Sequence, residues 1–168
     1  YTLPTERGSP LQYWARLLGF GESTGIDIGG SEDGLLPDPA WLERTFADSP
    51  DPAATIWKSG DSVQLAIGQG YMLATPLQMA RFYALLANGG KRIEPRLVQA
   101  VRDPLAHTWQ LQPTPSPALL AIAPKHLELV REGMMDVMRP GGTAAASAFG
   151  SPYTIAGKTG TAQVVGIK

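Results

Sequence analysis

The sequence predicts an α/β (α+β) fold, and three observations carry that prediction. Helix starts punctuated by X-Pro pairs recur along the chain. Strand-like runs are few, too few for a complete sheet. Hydrophobic residues make up 43% of the 168 positions, enough to build a core and to argue against disorder.

The elements follow in order. Ser9-Pro10 reads as an N-cap with proline at the first helical position, and Leu11, Trp14, Leu17 and Leu18 then fall on one apolar face. Asp38-Pro39 repeats the device before "AWLERTF". Thr75-Pro76 repeats it before "LQMARFYALLANGG", where Met79, Phe82, Tyr83 and Leu86 form a stripe and Asn88-Gly89-Gly90 a stop. A fourth helix is predicted in "PKHLELVREGMMDVM", with Leu127, Val130, Met134, Val137 and Met138 at helical spacing. Gly141-Gly142-Thr143 reads as a turn and N-cap before a short Ala-rich helix. The strand candidates are "PRLVQAV" after Pro95 and "YTIAGKTGTAQVV", Tyr153 to Val165. The Pro-rich stretch between them predicts a surface loop or short hairpin, and 45–60 a second loop.

Charge and composition narrow the function. Fourteen basic against fifteen acidic residues argue against a nucleic-acid binder, which would show a basic excess. The absence of cysteine removes disulfides and thiolate metal sites, and two distant histidines, His107 and His126, make no metal motif. No apolar run reaches the roughly 18 residues of a membrane span. With Tyr1 in place of an initiator Met, and "AQVVGIK" stopping just after a strand-like run, residues 1–168 read as part of a longer protein.

The segment best suited to chemistry is Lys158-Thr159-Gly160-Thr161. Side chains alternate along a strand, so Thr159 and Thr161 would share a face and could both donate to one small anion such as a carboxylate. Lys158 adds positive charge, and Gly160 leaves room for a second backbone, so an extended peptide could pair along this edge. Taken alone, the four residues are better accounted for by an edge strand with a solubilising lysine and a glycine bulge, because motifs this short recur by chance. Gly68 and Gly70 suggest a tight turn or close packing before the Thr75 cap. The helical carboxylates Glu43, Glu128, Glu132 and Asp136 read as a solvated face, and Asp61 as a loop residue beside Lys58. Thr55 and Lys58 have the spacing of a nucleophile and its base, but no apolar helix surrounds them and the pairing is rejected.

In combination the motifs are more specific. "GKTGTAQV" downstream of "GQGYMLATPLQMA" and "LGFGESTGIDIGGSEDGLLP" resembles the transpeptidase domain of class B penicillin-binding proteins, most closely the elongation-type members. The resemblance runs from about Ser9 onward and rests on several motifs in order. It implies the penicillin-binding protein/β-lactamase-like fold, a mainly antiparallel sheet sandwiched by helices and incomplete in this chain. The 168 residues would form the C-terminal portion of one such domain. Its site is built on Ser-x-x-Lys, Ser-x-Asn and Lys-Thr-Gly; only the third is here, as Lys158, Thr159 and Gly160.

What the resemblance implies is acyl transfer through a covalent serine intermediate on D-Ala-D-Ala stem peptides. Thr159 and Thr161, with Gly160 between them, would bind the substrate carboxylate or that of a β-lactam. Lys158 would supply positive potential, and the Thr161 N–H half of an oxyanion hole. No metal or organic cofactor is required. The implied partners are peptidoglycan stem peptides, β-lactam antibiotics and a membrane peptidoglycan glycosyltransferase, with no nucleic acid. The implied location is the outer side of the bacterial cytoplasmic membrane, on a single-pass anchor outside this chain. A β-lactamase or β-lactam sensor of the same fold, and a non-catalytic scaffold domain, are the alternatives.

Overall fold

Proline and a side-chain oxygen start two of the principal helices. Residues 10–160 are described by the structure, a computed structural model. Asp38, in extended backbone, accepts from Trp41 N at 2.8 Å and opens α2 (Pro39–Thr45). Thr75 opens α4 (Pro76–Ala87) with a reciprocal capping box: Gln78 N donates to Thr75 Oγ1 at 3.1 Å, and Thr75 N donates to Gln78 Oε1 at 2.9 Å. The remaining helices are α1 (Pro10–Leu17), α3 (Ser59–Ala66), α5 (Pro124–Met138) and α6 (Ala145–Ala148), with a 3-10 turn at Pro52–Thr55.

Among the described residues, four short strands complete the α/β arrangement. β1 (Lys91–Arg92) pairs antiparallel with β4 (Ala118–Leu119), Lys91 opposite Leu119. β2 (Ala100–Arg102) pairs antiparallel with β3 (Trp109–Leu111), Val101 opposite Gln110. The second pair is the short hairpin expected in the Pro-rich stretch. Its turn is fixed by Asp103, whose Oδ1 accepts from Leu105 N at 2.8 Å and Ala106 N at 2.9 Å.

The core lies where α4 crosses α5. Leu85, Leu86 and Leu127 are buried there, with Leu18, Phe82, Leu120, Ile122 and Met134 against them. A satellite polar cluster holds the loop at 19–37 on α4. The Gln78 amide donates to the carbonyls of Glu22 and Asp33, both at 2.8 Å, and a Leu35–Leu73 bridge continues the contact. Gln78 is thereby fully buried without an unsatisfied side-chain atom.

Several sequence expectations are corrected by tertiary context. On α1 the deepest residue is Gln12, whose amide donates to Pro37 O at 3.1 Å, while Leu11 of the expected apolar face is exposed. On α4 Leu85 lies deeper than any member of the expected stripe, and Met79 is exposed. On α5 Val130 likewise faces solvent. The loop expected at 45–60 contains the 3-10 turn and the start of α3. Asp61 sits in the first turn of α3 and accepts from Lys58 N at 2.7 Å. The strand expected from Pro95 begins only at Ala100, because the N–H groups of Leu97 and Val98 are taken by the Asp27 carboxylate at 2.8 and 2.9 Å. Those donors are lost to any ladder.

Candidate functional site

The Lys158 segment is placed by the end of α5. Beyond Met138 the chain reverses sharply: Gly142 N donates to Arg139 O at 2.8 Å and Ala144 N to Val137 O at 2.9 Å. Gly142 lies so close to the helix end that a Cβ there would collide with the carbonyl oxygens of Asp136 and Val137. Only glycine permits this approach. The turn expected at Gly141-Gly142-Thr143 is present, but the N-cap of α6 is Ala144 and no side chain caps it. Threonine 143 therefore does not play the expected part.

From α6 the chain returns along α5 through 151–160, without regular structure. The strand expected to begin at Tyr153 is thus not formed within the described residues. A strand is stable only with a ladder partner, and among the described residues this segment has none. After Ser151 N donates to Ala148 O of α6 at 3.1 Å, it is held by one backbone bond to a helix, Gly157 N to Met134 O at 3.0 Å. Ile155 and Gly157 are half-buried on the α5 side, whereas Tyr153, Thr154 and Ala156 are exposed.

Lys158, Thr159 and Gly160 follow, all exposed. The Lys158 ammonium donates to Thr159 O at 2.6 Å. Among the described residues, no backbone acceptor engages the N–H groups of residues 158–160. A Cβ at Gly160 would meet nothing within 4 Å among the described residues. The result is a cation, a hydroxyl and backbone donors that meet no backbone acceptor among the described residues, all on exposed positions. Such a segment can accept an extended peptide by strand addition and attract a carboxylate. Thr161, the other expected carboxylate and oxyanion residue, lies outside the described residues.

Several other polar groups are engaged elsewhere. Thr55 Oγ1 donates to Pro52 O at 3.0 Å. Arg81, nearly buried, pairs with Glu22 at 2.8 Å and donates to Ser23 O at 3.2 Å; Arg92 meets the same Glu22 oxygen at 2.9 Å. A recess of about 330 Å³ is lined by Asp27, Glu94, Arg96, Val98 and Gln112, and does not include residues 158–160. The Leu97 and then the Val98 N–H groups hold the Asp27 carboxyl below its ordinary pKa. Sequence reading missed Gln78, Arg81 and Gly157 as organising residues. For Gln78 a signal existed, since a glutamine three residues after a Thr cap is a capping-box pattern. For Gly157 none did.

Comparison with known proteins places this geometry in context. Residues 7–168 match the family described as Penicillin binding protein transpeptidase domain. Peptidoglycan D,D-transpeptidase MrdA of Escherichia coli K12 is 35% identical over 159 residues, which covers 94% of this chain and 24% of MrdA. A structure of Pseudomonas aeruginosa PBP2 in complex with WCK 5153 is similar with a TM-score of 0.72 and 36% identity, over 91% of this chain and 32% of the other. The complex between PBP2 and MreC from Helicobacter pylori contains a chain with a TM-score of 0.70 and 37% identity, over 91% of this chain and 26% of the other. The chain therefore spans about a quarter of the length of the curated relatives it matches.

Proposed function

Because this chain belongs to the penicillin-binding protein transpeptidase domain family, we propose that the protein carrying it is a serine-type peptidoglycan D,D-transpeptidase of the elongation type. The observation that carries this reading is the exposed Lys158-Thr159-Gly160 segment, whose backbone donors meet no backbone acceptor among the described residues, in a chain similar to MrdA over 94% of its length. An extended stem peptide would add to that segment, and its terminal carboxylate would meet the Thr159 hydroxyl and the field of Lys158. Thr161 would contribute a second hydroxyl and an oxyanion N–H.

In the proposed reaction a serine Oγ, supplied by a Ser-x-x-Lys motif not found in these 168 residues, bonds to the carbonyl carbon of the penultimate D-Ala. The serine proton passes to the leaving amine as the amide C–N bond breaks and the terminal D-Ala departs. The amine of a second stem then attacks the ester, forming the cross-link and returning the proton to the serine. This chain's residues hold and orient the donor peptide through both halves. A β-lactam would enter by the same carboxylate contacts. The protein would work on the outer face of the bacterial cytoplasmic membrane beside a peptidoglycan glycosyltransferase.

Labelling by a fluorescent penicillin tests the reading. The complete protein should be labelled, and replacing the Ser-x-x-Lys serine with alanine should abolish the label. Labelling that survives the replacement contradicts serine acyl transfer, and rapid turnover of the penicillin would favour a β-lactamase.

A further inference from the structure

The geometry points to Gly157 as the positioning residue that sets the Lys158-Thr159-Gly160 edge against α5, through its N–H on Met134 and its lack of a side chain against Met138. This inference rests on the transpeptidase reading for its functional consequence. Between Pro152 and Gly160 the bond from Gly157 N to Met134 O, at 3.0 Å, is the one backbone tie to another element among the described residues. It lies immediately before Lys158. A carbonyl oxygen has two lone pairs, so Met134 can take this donor in addition to its helical one.

Side-chain space fixes how closely the segment can dock. A Cβ at Gly157 would stand 3.2 Å from Met138 Sδ and 3.9 Å from its Cγ. Met138 is flexible enough to retreat by a few tenths of an ångström for a methyl group. A branched side chain needs more than that, and the segment would lift from the helix. Lifting breaks the Met134 bond and displaces Lys158 and Thr159, which have no other tie to α5. Gly157 touches neither substrate nor nucleophile in this account; it acts through the residues that follow it.

Three variants of the complete protein test the proposal: Gly157→Ala, Gly157→Val and Gly157→Val with Met138→Ala. Alanine should leave the second-order rate of penicillin acylation within about twofold. Valine should lower it by roughly tenfold or more, as expected for an ångström-scale displacement of positioning groups, and Met138→Ala should restore most of the loss. Amide hydrogen exchange at 157–160 reads the same tether without chemistry: it should quicken in Gly157→Val and slow again in the double variant. Wild-type exchange in Gly157→Val, or no recovery on Met138→Ala, overturns the proposal. Wild-type protein that takes up no penicillin would overturn the transpeptidase reading instead, and the exchange comparison would still decide the tether.

Discussion

Arg81 and Glu22, separated by 59 positions in the chain, meet at 2.8 Å with the arginine side chain only 5% exposed. The pair joins α4 to the loop that precedes α2. Because Glu22 is also held by Arg92 at 2.9 Å, the carboxylate bridges two guanidinium groups. Removing the acid strands a nearly buried cation, whereas removing Arg81 leaves Glu22 half-exposed with Arg92 as partner. Glu22→Gln should therefore destabilise the fold by about 1 kcal/mol, the partial exposure of Glu22 screening the pair, and Arg81→Met, which keeps most of the buried stem, by less. Denaturant unfolding of the two variants checks the order, and a larger loss for Arg81→Met contradicts it.

The Asp27 carboxylate predicts a pH dependence. Its folded pKa is depressed, chiefly by the Leu97 N–H and then the Val98 N–H, below the usual 3.8. A depressed carboxyl contributes stability that is present above its unfolded pKa and lost as pH falls through the folded value. Asp27→Asn should thus lower the unfolding midpoint at neutral pH. The gap from wild type should narrow as pH drops below about 4. A gap independent of pH between 7 and 3 would mean that the charge contributes nothing to the Leu97–Val98 contact.

Gly142 should tolerate no side chain. Its Cβ position is occupied by two backbone carbonyl oxygens of α5, which cannot rotate away as a side chain could. Gly142→Ala should cost at least about 2 kcal/mol and should loosen the return segment. Substitution of Gly141, whose Cβ would enter open space, meets no such collision and is strained only by its positive φ of 90°. Thermal unfolding of Gly142→Ala compared with Gly141→Ala reads the difference.

Much of this architecture is legible locally. Asp38 and Thr75 announce α2 and α4, because an N-cap and a first-turn proline act within three or four residues. α3 escaped notice because its N-cap is Lys58, which carries no capping signature; Asp61 closes the turn from inside. The burial of Gln12 depends on a carbonyl 25 residues away, at Pro37, so no helical periodicity could reveal it. Residues 153–160 form no strand for a related reason: their composition needs a neighbouring strand, and the described residues provide a helix instead. Lys158, Thr159 and Gly160 were found as a site only through the resemblance of several motifs in order. The structure adds their exposure and their tether, neither of which the motif contains.

Penicillin acylation of the complete protein carrying Lys158→Ala tests the central claim, that this edge is a wall of a transpeptidase site. Lys158 is exposed and contacts only the neighbouring Thr159 carbonyl among the described residues. Its loss should therefore leave the unfolding midpoint nearly unchanged. The acylation rate should nevertheless fall by about 10²-fold or more, as when a preorganised electrostatic group is removed from an active site. A variant that folds normally and acylates at the wild-type rate would contradict the account.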